Sequence, residues 1–510
     1  DHFGEYNAVQ TIFSMHMDPE FWMKEKIIFV SSKSNLRKKL GMDGKYIAFT
    51  DLVDSNGVFK LMGDYQEAHQ RLEMSRDEYD KKLIKLGERF QVFESVLGWR
   101  YMKIVPLRND ATHTWLVPMD MELGRKDSVA FSYVKNYFVS LSQAITDSSY
   151  VNANKELAAF KNYQKEVSKG IVPSESLVAQ EISYNKMHIF SNSYKSYLLL
   201  GFLMLIIFFI RVFIRPATGA SRVFSVITKV LIGLVAVIFL YHGYGVYLRA
   251  MIAGHAPWSN GYEAVIFIAW ISVLFGFIFS PKNTVILAGA VILASLMIFV
   301  TELELMDPEI TNLQPVLKSY WLKIHVAVIT GSYAPLGLAF ILGLLNLFLY
   351  IFRTKKNSAI VNLNINELTW VSEMTMTIGL FMLTIGTFLG GVWANESWGR
   401  YWGWDPKETW ALVAVLVYAV ILHLRFIPAL RGKFLFNVVS MWGYSSILFT
   451  FFGVNFYLSG LHSYAQGEGL ARIPTWVFYI FASFILLTLI AIIRNEMHVT
   501  SAKKELLKDE

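Results

Sequence analysis

Four histidines lie in or beside strongly apolar runs of the chain, where an ionisable side chain marks a functional site by default. His325 (SYWLKIHVAV) begins one run, and His462 (NFYLSGLHSYAQGEG) follows the end of another. His423 (VYAVILHLRF) and His242 (IFLYHGYGVYLR) lie inside two more. Two neutral imidazoles facing each other can hold both axial positions of a haem iron, so we predict that His325 and His462 ligate one haem. The alternative is a pair of interfacial histidines that cap helices or bond lipid headgroups.

The stretch WGRYWGWDPKETW at residues 398–410 has the composition of a platform for a large, flat, apolar ligand. Indole faces offer wide contact area, and glycines let the backbone come close to such a ligand. An aromatic belt at the membrane interface is the alternative, but a belt does not need this Gly-Trp-Asp-Pro order. Asp405 before Pro406 predicts a helix start with Asp405 as its N-cap. The predicted ligand contacts in this stretch are Trp398, Arg400, Trp402, Trp404, Asp405 and Trp410.

Composition places the chain in a membrane. Of its 510 residues, 54% are hydrophobic, and the mean hydropathy is +0.39. The net charge of +7 comes from basic residues in short connections rather than from one patch, so nucleic acid is not an expected partner. The sequence has no cysteine, which excludes disulfides and cysteine-ligated metals. Any thiol in the chemistry must therefore come from a partner.

The chain changes character near residue 197. Residues 1–190 are polar, and their patterns predict a mainly helical scaffold or docking domain, with helices at 65–93, 128–145 and 154–167 and extended segments at 45–52 and 101–107. Nine apolar runs of membrane-spanning length follow, at 197–214, 224–248, 262–280, 284–300, 324–352, 372–393, 408–426, 436–457 and 474–494. The predicted fold class is a polytopic α-helical membrane protein with a mixed, mainly helical N-terminal extracytoplasmic domain.

The distribution of basic residues orients these nine runs. Arginines and lysines cluster after the first, fifth, seventh and ninth runs, and the positive-inside bias assigns those connections and the C-terminus to the cytoplasm. Alternation then places residues 1–190, the tryptophan-rich stretch and the connections at 249–261, 301–323 and 458–473 on the outer face. His325 and His462 fall at one depth there, beside the GHAPWSNGYEA turn whose Trp258 is a further candidate ligand contact.

These residues also carry a resemblance to a known family. WGRYWGWDPKETWA resembles the tryptophan-rich WWD signature of haem-handling proteins, and GHAPWSNGYE is similar to another of their recurring stretches. His325, the tryptophan stretch, His423 and His462 follow one another as in the CcsA (ResC) part of System II cytochrome c synthases. The resemblance is good over residues 197–494. Ahead of it, the chain resembles only weakly the end of the CcsB (ResB) part, as in CcsBA fusions.

The resemblance implies three parts: a CcsB-like outer domain at 1–190, a last CcsB-like helix and link at 191–220, and a CcsA-like membrane domain at 221–510 with its tryptophan loop at 396–410. It also implies a holocytochrome c synthase, a haem lyase of the bacterial inner membrane whose outer parts face the periplasm. Such a protein transports haem b (iron protoporphyrin IX) outward and attaches it by thioether bonds to an apocytochrome c carrying C-x-x-C-H. Membrane lipid and a thiol reductant are further candidate partners. Two alternatives stay open: a haem exporter or delivery protein without ligation activity, and an unrelated multispan transporter.

In the family, the residues matching His325 and His462 are the external haem ligands, which implies a catalytic role for both. The residue matching His423 is one ligand of a second haem inside the membrane. Its partner in the family comes from an early CcsB helix, which this sequence lacks, so we expect a longer chain with a CcsB-like portion upstream. His242 is predicted at the opposite depth and is not assigned as the substitute.

Charged residues near the outer site have two candidate roles. Arg400, Lys407 and Arg249 are candidate partners of the haem propionates through charge-assisted bonds, and the alternative for each is a cation facing lipid headgroups. Asp405 and Glu408 are predicted to act locally, as a helix cap and a first-turn anion, rather than as acid–base catalysts.

Overall fold

The computed structural model describes residues 2–3, 6–32, 35–71, 76–120, 122–168, 170–214, 218–281, 283–303, 306–313, 315–458, 460 and 475–506. The chain forms two compact units, Asp1–Glu175 and Ser176–Glu510, here called the N-terminal and the C-terminal unit. The change of unit lies fifteen residues before the predicted end of the first domain at 190, and the three-part division remains a prediction.

The N-terminal unit is mainly helical. Its helices are α1 Ala8–Met17, α2 Pro19–Lys24, α3 Leu36–Lys39, α4 Phe49–Leu52, α5 Met62–Gln70, α6 Glu78–Leu97, α7 Leu123–Lys126, α8 Ser128–Asp147 and α9 Val151–Val167. Its short strands are β1 His2–Phe3, β2 Tyr6–Asn7, β3 Ile28–Phe29, β4 Tyr46–Ile47, β5 Val105–Pro106 and β6 Trp115–Leu116, paired antiparallel as β1–β2, β3–β4 and β5–β6. One apolar core lies around α6 and includes Trp22, and a second includes Val105 and Phe160.

Two local predictions for this unit need correction. The helix predicted at 65–93 is two helices, because Arg71 is extended at the end of α5 and Asp77 caps a new helix by bonding the Asp80 amide. The extended segment predicted at 45–52 keeps only the two residues of β4, since α4 begins at Phe49. The helices predicted at 128–145 and 154–167 are confirmed as α8 and α9.

Asp127 is a buried carboxylate that joins three elements of the N-terminal unit. It caps α8 by accepting bonds from the Val129 and Ala130 amides, at 3.1 and 3.0 Å. The Arg108 guanidinium pairs with it at 3.0 Å, and the Tyr163 hydroxyl donates to it at 3.2 Å. Burial alone would raise its pKa, but the bonds from Arg108 and from the Ala130 amide lower that pKa to about 2.

We expect acid to loosen α8 as the pH falls from about 4 to about 2. A carboxyl group whose pKa is lower in the folded state stabilises that state above its unfolded pKa, and the contribution disappears as the pH falls through the folded pKa. The shift from 3.8 to about 2 corresponds to about 2 kcal/mol. Hydrogen-exchange protection of Ser128–Asp147, corrected for the intrinsic pH dependence of exchange, measures it. Asp127→Asn is the control. If protection of α8 falls by the same amount in that variant as the pH is lowered, Asp127 is not the group responsible.

The C-terminal unit is built from long apolar helices. They are α10 Glu175–Met187, α11 Ile189–Phe209, α12 Thr218–Ala253, α13 Gly261–Phe279, α14 Thr284–Thr301, α15 Tyr320–Phe352, α16 Ser358–Trp398, α17 Pro406–His423, α18 Lys433–Leu448, α19 Val454–Tyr457 and α20 Thr475–Leu506. Within the described ranges nine helical segments are long and apolar enough to cross a membrane: Glu175–Ile214, Thr218–Ala253, Gly261–Phe279, Thr284–Thr301, Tyr320–Phe352, Ser358–Trp398, Pro406–Phe426, Lys433–Gly453 and Thr475–Thr500. The predicted polytopic helical fold with nine spans is confirmed.

A stripe of glycines sets the contact between α15 and α16. A Cβ atom at Gly379 would lie 2.5 Å from Leu336, and one at Gly386 would lie 2.9 Å from the Cα of Ile329. One at Gly390 would lie 2.6 Å from Cε1 of His325. These glycines of α16 are spaced by seven and then four residues. Their contacts on α15, Leu336, Ile329 and His325, have the same spacing in the opposite chain direction. This is expected for neighbouring antiparallel helices whose backbones come close where side chains are small. His325 therefore packs directly against the backbone of α16.

Candidate functional site

A cavity of about 400 Å³ lies in the C-terminal unit, where the first turns of α13, α15 and α17 meet the last turns of α16. Its wall also includes residues 311–313, together with Thr450, Phe451 and Asn455. Three indoles, from Trp258, Trp393 and Trp402, line it together with the imidazole of His325. Apolar walls with a few positioned polar groups are typical of a small-molecule site.

The imidazole of His325 is held in one orientation. Its Nδ1 lies 2.7 Å from the carbonyl oxygen of Gly386, and because a carbonyl can only accept, Nδ1 must carry the proton. In the neutral ring the lone pair is then on Nε2, the nitrogen that can bind a metal. Histidines that ligate metals are commonly oriented in this way, by a bond from the other ring nitrogen to a carbonyl. The glycine stripe makes the bond feasible, because the ring lies where a side chain at residue 390 would be.

Trp393 is a large aromatic neighbour of His325. Its ring lies nearly parallel to the imidazole, at 9° and 6.5 Å between centroids, and the residue is only 1% exposed. Trp398 packs against it edge-on, at 4.8 Å. Sequence reasoning concentrated on residues 398–410 and missed Trp393. A signal was present, since Gly386, Gly390 and Trp393 are spaced by four and three residues and so share one helical face.

In the tryptophan-rich stretch, residues 399–405 connect the end of α16 to the start of α17. The predicted N-cap is confirmed: the Asp405 carboxylate accepts from the Lys407 amide at 3.1 Å, with Pro406 in the first turn. Glu408 accepts from the amides of Gly403 and Asp405, at 2.8 and 3.2 Å. Both carboxylates thus hold the backbone of this segment in place, which agrees with their predicted local roles.

Trp404 stands out within this segment. Its φ of +57° is the left-handed conformation, which a bulky residue rarely adopts, and its side chain is 70% exposed. The neighbouring Trp402 crosses it at 88°, with centroids 5.8 Å apart, and lines the cavity. The two indoles thus pack edge to face, with Trp402 lining the cavity and Trp404 exposed.

The turn that carries Trp258 rests on a buried ion pair. Arg249 of α12 and Glu263 of α13 lie 2.9 Å apart, and each side chain is 1% exposed. Glu263 accepts from the Ser259 amide at 2.9 Å, which fixes the turn before α13. The Trp258 indole donates to the carbonyl of Lys323 at 3.0 Å, so the turn is also tied to the start of α15.

Arg249 has further partners that leave it no role as a ligand contact. Its guanidinium donates to the carbonyls of Pro308 and Glu309, at 2.8 and 3.1 Å, and its centre lies 4.9 Å from the ring of Tyr262. It does not line the cavity. The prediction that Arg249 contacts a propionate is wrong, because Glu263 neutralises the guanidinium inside the protein. The sequence alone does not show that these two residues pair.

Arg400, Trp410 and His423 were also predicted to bind haem, but they do not line the cavity. Arg400 is partly buried, and its guanidinium packs over the backbone of Gly403, so that a side chain at 403 would collide with it. Trp410 packs on Phe449 at 4.1 Å, outside the cavity. His423 is exposed on the last turn of α17, where its Nδ1 lies 2.6 Å from the Ala419 carbonyl. His462 lies outside the described residues, and its role as the second ligand remains a prediction.

Comparison with known proteins identifies the family of this chain. The family model described as "Cytochrome C assembly protein" matches residues 258–462, which include the cavity. The chain is 37% identical to Protein NrfI of Wolinella succinogenes over 467 residues, 91% of this chain and 51% of NrfI. It is 38% identical to Cytochrome c biogenesis protein CcsA of Chlamydomonas reinhardtii and 34% identical to that of Cyanophora paradoxa, over 42% of this chain and 62% and 81% of those proteins. The chain thus spans about half the length of NrfI.

Proposed function

Because the chain belongs to the cytochrome c assembly family, in its CcsA-type branch, we propose that it moves haem to the outer face of a membrane and attaches it to apocytochrome c. The observation that carries the proposal is the cavity, whose wall holds three indoles and the imidazole of His325, with Nδ1 of that ring bonded to the Gly386 carbonyl. A single oriented imidazole among large aromatic faces suits a flat metalloporphyrin better than it suits a small polar substrate.

In this proposal, haem b is the cargo, and the residues of the cavity position it. His325 binds one axial side of the iron, and His462 binds the other. Trp258, Trp393 and Trp402 contact the faces and edges of the ring, as predicted for Trp258 and Trp402. Trp404, which is exposed and strained, is a contact for the protein partner or for the outer rim of the ring. Trp398 and Trp410 act indirectly, by packing behind this surface.

We assign the cavity to the periplasmic side of a bacterial inner membrane, from the positive-inside argument, with the C-terminus in the cytoplasm. His423 lies near the opposite end of α17 from the cavity, which supports a separate, embedded haem foothold on the transport path. Its second ligand would come from a CcsB-like portion. Because the chain spans about half of NrfI, the complete activity is proposed for the full-length protein.

The attachment step is a thiol addition. Each cysteine of the C-x-x-C-H motif adds across one haem vinyl group, so that an S–H bond and a C=C π bond are replaced by an S–C and a C–H bond. No atom is lost, and no net oxidation occurs. The synthase contributes by holding the porphyrin and the peptide together, which makes the encounter effectively intramolecular. The motif histidine then replaces one synthase histidine on the iron, which favours release.

We expect the purified protein to contain haem with the absorption spectrum of bis-histidine ligation, and His325→Ala to lose the haem of the cavity. A C-x-x-C-H reporter co-expressed with the full-length protein should acquire haem that survives denaturation. Removing an axial ligand that also positions the reacting ring should lower this attachment by roughly 100-fold or more. The measurements are the Soret spectrum and haem-stained denaturing gels of the reporter.

Different results separate the alternatives. If the haem spectrum is present but the reporter stays unmodified, haem delivery without ligation is the function. If His325→Ala leaves haem content and spectrum unchanged, the cavity is not the haem site. A colourless protein that binds no added haem would favour an unrelated transporter.

A further inference from the structure

Lys407 is a partly buried cation whose side chain lines the cavity. Its ammonium group donates to the side-chain carbonyl of Asn455, a neutral partner. Among the described residues, no carboxylate forms an ion pair with it, since Asp405 and Glu408 direct their oxygens to backbone amides. The charge therefore lies in the wall of a mainly apolar cavity, and no carboxylate in the described part of the chain pairs with it. Such a charge is costly to remove from water unless an anion joins it.

The position of Lys407 on its helix strengthens this point. It is the second residue of α17, directly after Pro406. A helix N-terminus carries partial positive charge and favours anions, so that a lysine in the first turn is electrostatically unfavourable by itself. The acidic cap Asp405 offsets part of this repulsion. A bound carboxylate would pair with the ammonium group, and this pairing would offset the unfavourable position of the lysine on the helix.

Other cations near the site are less suited to this role. Arg249 is neutralised by Glu263 and does not reach the cavity. The Arg400 guanidinium packs over Gly403 and does not line the cavity. Lys323 lines the cavity but is exposed, so that water screens its charge.

We propose that Lys407 binds a carboxylate of the ligand in the cavity and thereby selects porphyrins that carry free acid groups. This inference rests on the proposed function, since it takes the ligand to be a porphyrin. It assigns the acid edge of the ring to the start of α17, while His325 holds the metal. The recognition is a charge-assisted hydrogen bond from a partly buried ammonium group, which is stronger than a bond between neutral groups.

The test compares iron protoporphyrin IX with its dimethyl ester, which keeps the ring and loses both charges. Each is titrated into purified full-length protein, and the dissociation constant is taken from the Soret change. Lys407→Met should weaken binding of the diacid by roughly 10- to 100-fold and leave binding of the diester within about twofold. Lys407→Arg should keep the preference for the diacid. Lys323→Met is the matched comparison from the same cavity, and its effect on the diacid should stay within about twofold because the group is exposed.

Each outcome decides between defined alternatives. Equal weakening of both porphyrins by Lys407→Met means that the lysine only supports the fold of the cavity, and it overturns the proposal. A selective loss in Lys323→Met instead places the acid edge at the other lysine and also overturns it. If Lys407→Met changes nothing while His325→Ala still removes the haem spectrum, the inference fails and the proposed function stands. If the unaltered protein binds neither porphyrin, both fail.

Discussion

Replacing Gly390 by valine should remove haem from the cavity almost as completely as replacing His325 itself, although Gly390 has no side chain that could bind a ligand. A Cβ at residue 390 would lie 2.6 Å from Cε1 of His325, so the imidazole must move. It cannot move while Nδ1 keeps its 2.7 Å bond to the Gly386 carbonyl. Loss of that bond costs about 1 kcal/mol and overpacking a tight contact about 1–3 kcal/mol, which together predict at least a tenfold loss of haem affinity.

The measurement is haem per protein and the position of the Soret band in purified Gly390→Val. Gly390→Ala should give a smaller change in the same direction, because only one atom is added. Gly331→Ala is the matched control on α15, since its Cβ would meet only the flexible end of Met382 at 3.3 Å. Normal haem content in Gly390→Val, with His325→Ala depleted, would show that the ring orientation seen here is not the one that binds iron.

Most of the membrane fold could be predicted from the sequence because each span is a local feature. An apolar run of sufficient length must be helical in lipid, whatever its neighbours do. The start of α17 was predictable for the same reason, since Asp405, Pro406 and Glu408 specify a cap within four residues. The N-terminal unit was harder, because its patterns do not show where Arg71 leaves the helical conformation.

The candidate site was only partly predictable because its contacts join distant segments. The sequence indicated His325, Trp258 and Trp402 as ligand contacts, and the structure brings all three to one cavity. It did not show that His325 bonds Gly386, 61 residues away, or that Trp393 packs beside it. The spacing of the glycines in α16 indicates a helix contact only once α16 is aligned with α15, because the residues that these glycines contact lie on α15.

Breaking the Arg249–Glu263 pair should damage the cavity through the turn that carries Trp258. Arg249→Met leaves the Glu263 carboxylate buried without its cation, and loss of one partner of a buried pair costs about 3–5 kcal/mol. Glu263→Met leaves the guanidinium in the same situation. The double variant should be much closer to the unaltered protein than either single one, because no uncompensated charge remains.

Two measurements test this expectation in the full-length protein in detergent. The temperature at which half of the protein loses its fold, at one fixed heating rate, should fall in both single variants and recover in the double variant. Hydrogen exchange at residues 306–313 should rise in Arg249→Met, because the Pro308 and Glu309 carbonyls lose their donor. Exchange at residues 258–261 should rise in Glu263→Met, because the Ser259 amide loses its acceptor. The loss of haem should correlate with the rise in hydrogen exchange rather than with the fall in unfolding temperature, since the pair acts through the position of Trp258. If the single and double variants lose equal stability and keep their haem, the pair is not what holds this wall.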